Sequence, residues 1–415
     1  MSKLLTQKKA CRICRGKEVG KVLSFGPTPL ANAFLTEGEL RDAESYFPLD
    51  VYLCKNCGLL QLMDVVAPEV LFKDYVYVSS TSPVFVEHFN RFAETMCDRF
   101  SLGKHSLAID IGSNDGILLL PFVRKGVRVL GIEPDKAIGA VAKKAGVETV
   151  SAFFSSALAK KIVKEYGKAD LITATNVFAH IDDIHEVAKG VKLLLKVDGV
   201  FIIEVPYLVD FLEQNLFDTV YHEHLSYFSV TALNAFFERA GMRLTHVERV
   251  ETHGGSLRVF ATRKDSSRRS SPAVKSFMQA EKKMELGVES TYATYGLRIQ
   301  ENRAKLISLL SGLKQEGKTI AGYGAPAKGN TLLNFFSIGS DLLSYIVDDS
   351  PHKQGRYTPG KRIPVVSRDK LITHPPDYLL IIAWNFAPSI MAKNEEFRRR
   401  GGKFIIPVPT PRIIK

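Results

Sequence analysis

The stretch YHEHLSYFS, which begins at Tyr221, groups side chains that are able to move protons. A phenol (Tyr221), a carboxylate (Glu223) and two imidazoles (His222 and His224) stand within four consecutive positions. A neutral imidazole titrates near physiological pH and is a suitable general base, and a neighbouring carboxylate can fix its tautomer and stabilise the imidazolium. The composition of the stretch therefore indicates proton transfer, although a metal site and a polar structural strand are alternatives.

The metal interpretation of this stretch depends on its conformation. The helical zinc pattern H-E-x-x-H fails, because Ser226 stands where the second histidine would have to be. On an extended strand, His222 and His224 would share one face and could bind one metal ion. For His222 a structural role is favoured over catalysis, and for His224 catalysis is favoured.

Two cysteine pairs provide a stronger metal signal. The motifs CRIC and CKNC are separated by residues 15–53. Two CxxC knuckles can place four thiolates tetrahedrally around zinc, and a long inserted loop adds little closure entropy. We predict a structural zinc site whose ligands are Cys11, Cys14, Cys54 and Cys57.

The composition is typical of a globular cytoplasmic enzyme. The chain has 415 residues, 45% of them hydrophobic and 24% charged, without an apolar run long enough to span a membrane and without a signal peptide at its start. The formal net charge of +12 favours an anionic ligand. The basic runs SSRRSS and FRRRGGK stand outside any nucleic-acid-binding motif, so we expect a phosphate-bearing small molecule, no nucleic acid and no membrane partner.

From residue 106 onward, strands alternate with helices, which predicts an α/β fold with parallel, doubly wound sheets. The first strand enters the turn of the motif DIGSNDG, and the next strand ends at Glu133. A carboxylate at that point can accept both ribose hydroxyls of a nucleoside. Because the turn is not G-x-G-x-x-G, it fits S-adenosylmethionine better than NAD. The candidate residues of the turn are Asp110, Gly112, Asn114 and Gly116.

An aromatic pair follows the third strand of this unit. Phe153 and Phe154 could sandwich an adenine ring, and core packing is the alternative.

A second α/β unit begins at the stretch GYGAPAKG, residues 322–329. It matches G-x-G-x-x-A, and two aspartates follow about 20 residues later, so a dinucleotide-dependent oxidoreductase has to be considered. The alternatives are a nucleoside diphosphate at the start of the following helix, with Lys328 facing a phosphate, and a turn that binds no ligand.

The order of these motifs resembles the sugar C-methyltransferases of deoxysugar biosynthesis over essentially the whole chain. The resemblance is carried by CRIC, CKNC, YVYVSS, DIGSNDG, NVFAHIDD, EVPYL, YHEHLSYFS, HGGSLR and GYGAPAKGN. It implies an N-terminal zinc-binding module, a class I methyltransferase domain of Rossmann-like fold and a second, C-terminal Rossmann-like domain. We place these three regions at residues 1–75, 76–262 and 263–415.

The resemblance also implies roles for individual residues. His224 corresponds to the general base, with Glu223 and Tyr221 beside it. Tyr75 corresponds to an active-site tyrosine of the first domain, with Tyr77 as an alternative register on the substrate side.

We assign Asn176 to the cofactor pocket and His180 to the substrate pocket. The expected substrate is a nucleotide-linked 4-keto-6-deoxysugar, which is methylated at C-3 through an enolate. Its nucleotide would contact Gly324, Ala325, Lys328 and Asn385.

The implied cofactors are S-adenosylmethionine and structural zinc, and a monomer is expected. An NAD-dependent oxidoreductase and a basic, RNA-binding methyltransferase remain the competing functions.

Overall fold

The structure is a computed structural model, and it describes residues 4–71, 80 and 83–415. The N-terminal region is built from short antiparallel strands and one helical turn: β1 (Leu5–Gln7), β2 (Val19–Pro29), β3 (Tyr46–Cys54), β4 (Leu60–Leu62), β5 (Asp64–Val66) and α1 (Pro68–Leu71). The long hairpin of β2 and β3 fills the interval between the two cysteine pairs. About half of the inserted residues therefore belong to the sheet, and residues 30–45 connect its two strands.

The central region holds a seven-stranded sheet with helices on both faces. Its elements are α2 (Pro83–Phe100), β6 (Leu107–Ile111), α3 (Leu119–Arg124), β7 (Arg128–Ile132), α4 (Lys136–Lys144), β8 (Thr149–Val150), α5 (Ser156–Tyr166), β9 (Ala169–Thr175), α6 (Ile184–Leu194), β10 (Leu195–Pro206), α7 (Leu208–Glu213), β11 (Ser226–Tyr227), α8 (Val230–Arg239), β12 (Met242–Val250) and β13 (Ser256–Arg263). The strand order is β12-β13-β10-β9-β6-β7-β8. All neighbours are parallel except those of β13, which runs antiparallel to both adjacent strands.

The composition of the strands explains why this sheet is deeply buried. Every residue of β6 is buried, as expected for a central parallel strand that is covered on both faces. Helix caps then fix the entry of the chain into the covering helices, because the side chains of Asp135, Asp183 and Ser229 accept backbone N–H groups at the starts of α4, α6 and α8. The carboxyl ends of the parallel strands meet at one edge of the sheet, where a ligand is expected.

The strand β11 belongs to a different sheet from its neighbours in sequence. It pairs antiparallel with β4, through Ser226 with Gln61 and Tyr227 with Leu60. A segment of the central region therefore extends the sheet of the N-terminal region, in the order β11-β4-β3-β2.

The C-terminal region is a second α/β unit. Its elements are α9 (Pro272–Lys283), α10 (Glu289–Gln315), β14 (Ile320–Tyr323), α11 (Ala327–Phe336), β15 (Ile346–Val347), β16 (Val365–Val366), α12 (Lys370–Thr373), β17 (Tyr378–Ile381), α13 (Ala387–Lys393), α14 (Glu395–Arg399), β18 (Lys403–Ile406) and β19 (Arg412–Ile414). The sheet has the order β16-β15-β14-β17-β18-β19, and only β19 is antiparallel. The predicted α/β fold with two Rossmann-like sheets behind a cysteine-rich module is confirmed.

In the part of the chain that the structure describes, no helix is long and apolar enough to cross a membrane.

Candidate active site

The four predicted zinc ligands come together in the N-terminal region. Their sulfur atoms all lie within 4.8 Å of one another, and Cys11–Cys57 and Cys14–Cys54 are each 3.5 Å apart. Tetrahedral Zn–S bonds of about 2.3 Å place sulfurs roughly 3.8 Å apart, so the donor set fits zinc. Among the described residues, these cysteines are the only group of three or more metal-binding side chains close enough to share an ion.

The turn after β6 has the backbone shape that a close-fitting ligand requires. Gly112 and Gly116 have φ of +73° and +82°, and a Cβ on Gly112 would lie 2.8 Å from Val177. The backbone N–H of Asn114 donates to a carboxylate oxygen of Glu133 at 2.9 Å. Glu133 thus stands at the tip of β7 against the turn, where a nucleoside would lie.

The buried carboxyl group of Asp110 lies at the base of this turn. Thr173 donates its hydroxyl to Asp110 at 2.6 Å, while burial raises the pKa of Asp110 to about 7. A positively charged group bound beside it would stabilise the carboxylate again. The amino group of S-adenosylmethionine carries such a charge, so the carboxyl group of Asp110 fits that cofactor.

The loop that follows β9 joins this turn to the histidine-rich stretch. Asn176 has φ of +57°, and its buried side-chain oxygen has no hydrogen-bond partner among the described residues. Val177 packs on Gly112, and three residues later the ring of His180 lies 4.9 Å from the ring of His224. The loop that follows β9 therefore contacts both the first glycine turn and the histidine-rich stretch.

The two predicted adenine-stacking rings differ in their environment. Phe154 packs its ring edge against Gly190 of α6, so it is part of the helix packing. Phe153 is 67% exposed and is the ring that remains accessible to a ligand. Core packing thus describes Phe154, and stacking of adenine between both rings stays a prediction.

Residues 221–224 form a turn, and only Ser226 and Tyr227 are strand. The extended conformation that a shared metal-binding face would require is therefore absent at His222 and His224. Nδ1 of His224 lies 2.8 Å from the carbonyl oxygen of Thr219, and Nε2 lies 2.6 Å from the hydroxyl of Tyr221. Because a carbonyl only accepts, Nδ1 carries a proton, and in the neutral imidazole Nε2 then carries the lone pair.

The other two members of the stretch are held by the N-terminal region. The side-chain amide of Asn32 donates to Glu223 at 2.6 Å, while burial raises the pKa of Glu223 to about 7. His222 is 1% exposed, its Nε2 lies 3.3 and 3.2 Å from the carbonyl oxygens of Phe47 and Pro48, and burial lowers its pKa to about 4. His222 is thus a neutral structural donor.

The space beside Gly324 in the second glycine turn is filled by a residue that follows a neighbouring strand. Gly324 has φ of +83°, and a Cβ there would lie 2.5 Å from Cβ of Ala383. The backbone N–H of Ala325 donates to Asp348 at 2.7 Å, so this amide is already bound. The aspartate that would bind a dinucleotide ribose thus accepts a bond within the turn.

Lys328 makes contacts that differ from the predicted phosphate contact. Its ammonium lies 3.8 Å from the ring centre of Trp384, whose indole N–H donates to Asp218 at 2.6 Å. Burial lowers the pKa of Lys328 to about 8. Asn385, which follows Trp384 in the chain, has a buried side-chain oxygen without a partner in the described part of the chain.

Two predicted site residues, Tyr75 and Tyr77, lie outside the described residues. The sequence analysis in turn missed Asn32, Asp218 and Trp384, which carry no motif of their own. A partner for Glu223 could be expected, because a buried carboxyl group needs one, but its position in the chain could not be found from spacing.

Three domain families match the chain in order. They are a zinc binding domain at residues 11–72, a methyltransferase domain at 85–247 and a C-methyltransferase C-terminal domain at 251–409. The C-methyltransferase NovU of Streptomyces niveus is 40% identical over 404 residues, which are 97% of this chain and 96% of that protein.

Solved methyltransferases are similar to part of the chain. Magnesium protoporphyrin IX methyltransferase from Synechocystis PCC 6803 with bound SAH has 16% identity and a TM-score of 0.33, covering 43% of this chain and 83% of that one. An S-adenosylmethionine-dependent methyltransferase from Clostridium acetobutylicum has 14% identity and a TM-score of 0.34, covering 47% and 95%.

Proposed function

The chain belongs to the C-methyltransferase family, and on that premise we propose that it methylates C-3 of a nucleotide-linked 4-keto-6-deoxysugar. Its methyl donor is S-adenosylmethionine and its structural metal is zinc, as predicted. The competing NAD-dependent oxidoreductase finds no support in the comparisons. The sugar and the reacting carbon are our proposal.

The observation that carries this proposal is the tautomer of His224. Its Nδ1–H donates to the carbonyl oxygen of Thr219, which leaves the lone pair on Nε2 beside the hydroxyl of Tyr221. A neutral imidazole held in this way is a base for a weakly acidic proton, and the adjacent phenol is a donor for developing negative charge.

The reaction needs a carbon nucleophile, and a saturated sugar carbon is not one. A ketone at C-4 acidifies the hydrogen on C-3, so Nε2 of His224 takes that proton and the C–H electron pair moves to give an enolate with its charge on the C-4 oxygen. S-adenosylmethionine supplies an activated methyl group on a sulfonium. Asp110, Glu133 and the turn around Gly112 would hold this donor. Its methyl carbon would bond to C-3 as the methyl–sulfur bond breaks, with S-adenosylhomocysteine as the leaving group.

Each neighbour of His224 has a proposed role in this chemistry. The Tyr221 hydroxyl exchanges its bond to Nε2 for one to the C-4 oxygen, where it stabilises the enolate. Glu223, held by Asn32, limits the motion of the turn. The ring of His180 packs against that of His224 and is the proposed contact of the sugar. Tyr75 and Tyr77 remain proposals of the same kind.

The C-terminal region is the proposed nucleotide site. Asn385 is its best-supported residue, because its buried side-chain oxygen has no partner in the described part of the chain. Gly324 and Ala325 shape the adjoining turn. Lys328 contributes charge at long range, because its ammonium lies against Trp384.

A panel of sugar nucleotides tests the substrate. The protein is incubated with S-adenosylmethionine and each of several nucleotide-linked 4-keto-6-deoxysugars, and products are read by mass spectrometry and NMR. We expect a gain of one methyl group on carbon, only for sugars with a hydrogen on C-3 beside the ketone. The matching 4-hydroxy sugars serve as controls and should not react. Methylation of the 4-hydroxy sugars, or a methyl group on oxygen, would refute the proposal.

A further inference from the structure

We propose that Arg12, between the first two zinc ligands, is a positioning residue for the segment that carries His224. Its buried guanidinium joins the zinc knuckle to the backbone immediately after His224 and to the loop immediately after His180. This inference rests on the proposed function only in treating His224 as the base.

The contacts of Arg12 connect three segments that are far apart in the sequence. The side chain is 2% exposed. Its Nη1 donates to the carbonyl oxygen of Leu62 in β4 and, at 3.2 Å, to that of Leu225. Its Nε donates to a carboxylate oxygen of Asp182 at 3.1 Å. Leu225 directly follows His224, and Asp182 is two residues beyond His180.

The same segments are also joined to one another. The backbone N–H of Leu62 donates to the carbonyl of Leu225, and the N–H of Leu225 donates to the carbonyl of Ala179, each at 2.9 Å. The carbonyl of Leu225 thus accepts from both Arg12 and Leu62. Arg12 stands at the point where the loop of His180, the turn of His224 and the zinc module meet.

Burying a guanidinium costs free energy, because its charge loses its hydration. The guanidinium of Arg12 is buried, and among its hydrogen-bond partners only Asp182 offsets its charge. An apolar side chain would pack there without the cost of desolvating a charge, whereas it could not donate to the two carbonyls and the carboxylate. The planar fork fixes the direction of these groups, which indicates a geometric role.

Zinc ligation would make this fork rigid. Arg12 lies between Cys11 and Cys14, and the backbone of the knuckle is closed by the bond from Arg15 N–H to the carbonyl of Cys11. The base of the arginine side chain is therefore anchored when the cysteines bind zinc. The N-terminal module then acts on the rate of proton removal, although its metal takes no part in the chemistry.

The knuckle offers a matched control. Arg15 has the same charge, but it is exposed, and it pairs at 3.4 Å with the equally exposed Asp183. A pair of this kind contributes little.

The test compares Arg12→Gln and Arg12→Lys with Arg15→Gln. Measured are zinc content, the Kd of S-adenosylmethionine, kcat and KM, and the rate at which C-3 of the keto-sugar exchanges its hydrogen for deuterium. For Arg12→Gln we expect one zinc per chain, a Kd within about twofold, and exchange and kcat lowered together by about tenfold or more. Arg12→Lys should recover only part of the rate, because its ammonium can still donate to some of these acceptors but lacks the planar arrangement of a guanidinium. Arg15→Gln should be within about twofold of the native protein.

A second variant covers the case in which Arg12→Gln does not fold. Asp182→Asn leaves the knuckle intact and weakens the bridge from its other end, so exchange should fall several-fold at full zinc content. The Arg12 role is refuted if the folded variants exchange C-3 at the native rate, or if their loss merely follows loss of zinc. Absence of exchange in the native protein would overturn the proposed function, and the Arg12 role with it.

Discussion

Two histidines that are two positions apart have opposite surroundings. His222 points into the N-terminal module and donates to two backbone carbonyls, whereas His224 lies between the rings of Tyr221 and His180. The sequence allowed both a shared metal and separate roles. The turn separates the two imidazoles, so only His224 has a lone pair beside a phenol.

Replacing His224 by asparagine should abolish most of the activity. Loss of a general base typically lowers the rate by 10²–10⁴-fold, so kcat should fall by about that factor while the Kd of S-adenosylmethionine stays unchanged. Tyr221→Phe, which keeps the ring and removes the donor, should lose about tenfold to a hundredfold. Steady-state kinetics and calorimetry measure both. A native kcat in the His224→Asn variant would show that His224 is not the general base.

His222 should make the protein acid-sensitive. Its pKa is lowered from 6.5 to about 4 on folding, so the unfolded chain binds its proton first. This residue therefore destabilises the fold as the pH falls from about 6.5 to about 4, by up to roughly 3 kcal/mol, and has no effect above that window.

The measurement is the free energy of unfolding against pH for the native protein and for His222→Gln, whose amide can still donate to the carbonyls of Phe47 and Pro48. The native protein should lose more stability than the variant between pH 6.5 and 4. Parallel curves would contradict the assignment.

At the scale of elements, α11 supports the turn of residues 221–224. This helix begins at the second glycine turn, and the hydroxyl of Thr331 donates to the carbonyl of Val220 at 2.9 Å. The side chain of Asn330 donates at 2.7 Å to the carbonyl of Ala31, the neighbour of Asn32. The sequence predicted a ligand at this turn. The contacts of its helix show that α11 holds two chain segments, at Val220 beside Tyr221 and at Ala31 beside Asn32.

Thr331→Val should therefore lower activity from a distance. The change keeps the shape and removes one buried hydroxyl, which leaves the carbonyl of Val220 without that donor and costs about 1–3 kcal/mol. We expect kcat to fall several-fold with an unchanged Kd for S-adenosylmethionine.

Thr291→Val is the control. It removes a hydroxyl that donates to the carbonyl of Glu285 at 3.0 Å on the exposed side of α10, and it should leave kcat unchanged. Equal kcat values in the two variants would show that α11 does not position the turn.

At the scale of the molecule, local patterns predicted the architecture. Strand–helix alternation and the two CxxC pairs were sufficient for two α/β units behind a zinc module. The pattern could not show that β11 leaves the central region to join the sheet of the N-terminal module. It also could not show pairs such as Asn32 with Glu223, because side chains 191 positions apart leave no periodic signal. The expected monomer and the domain boundaries stay predictions.

The most direct test of the account follows hydrogen at C-3. The native protein is incubated in D₂O with a nucleotide-linked 4-keto-6-deoxysugar and S-adenosylhomocysteine, which occupies the cofactor site but has no methyl group to transfer. Deuterium at each carbon is read by NMR. We predict exchange at C-3 alone, lost in His224→Asn although cofactor binding is retained. Exchange at another carbon, or undiminished exchange in His224→Asn, would contradict base-generated enolate formation by His224.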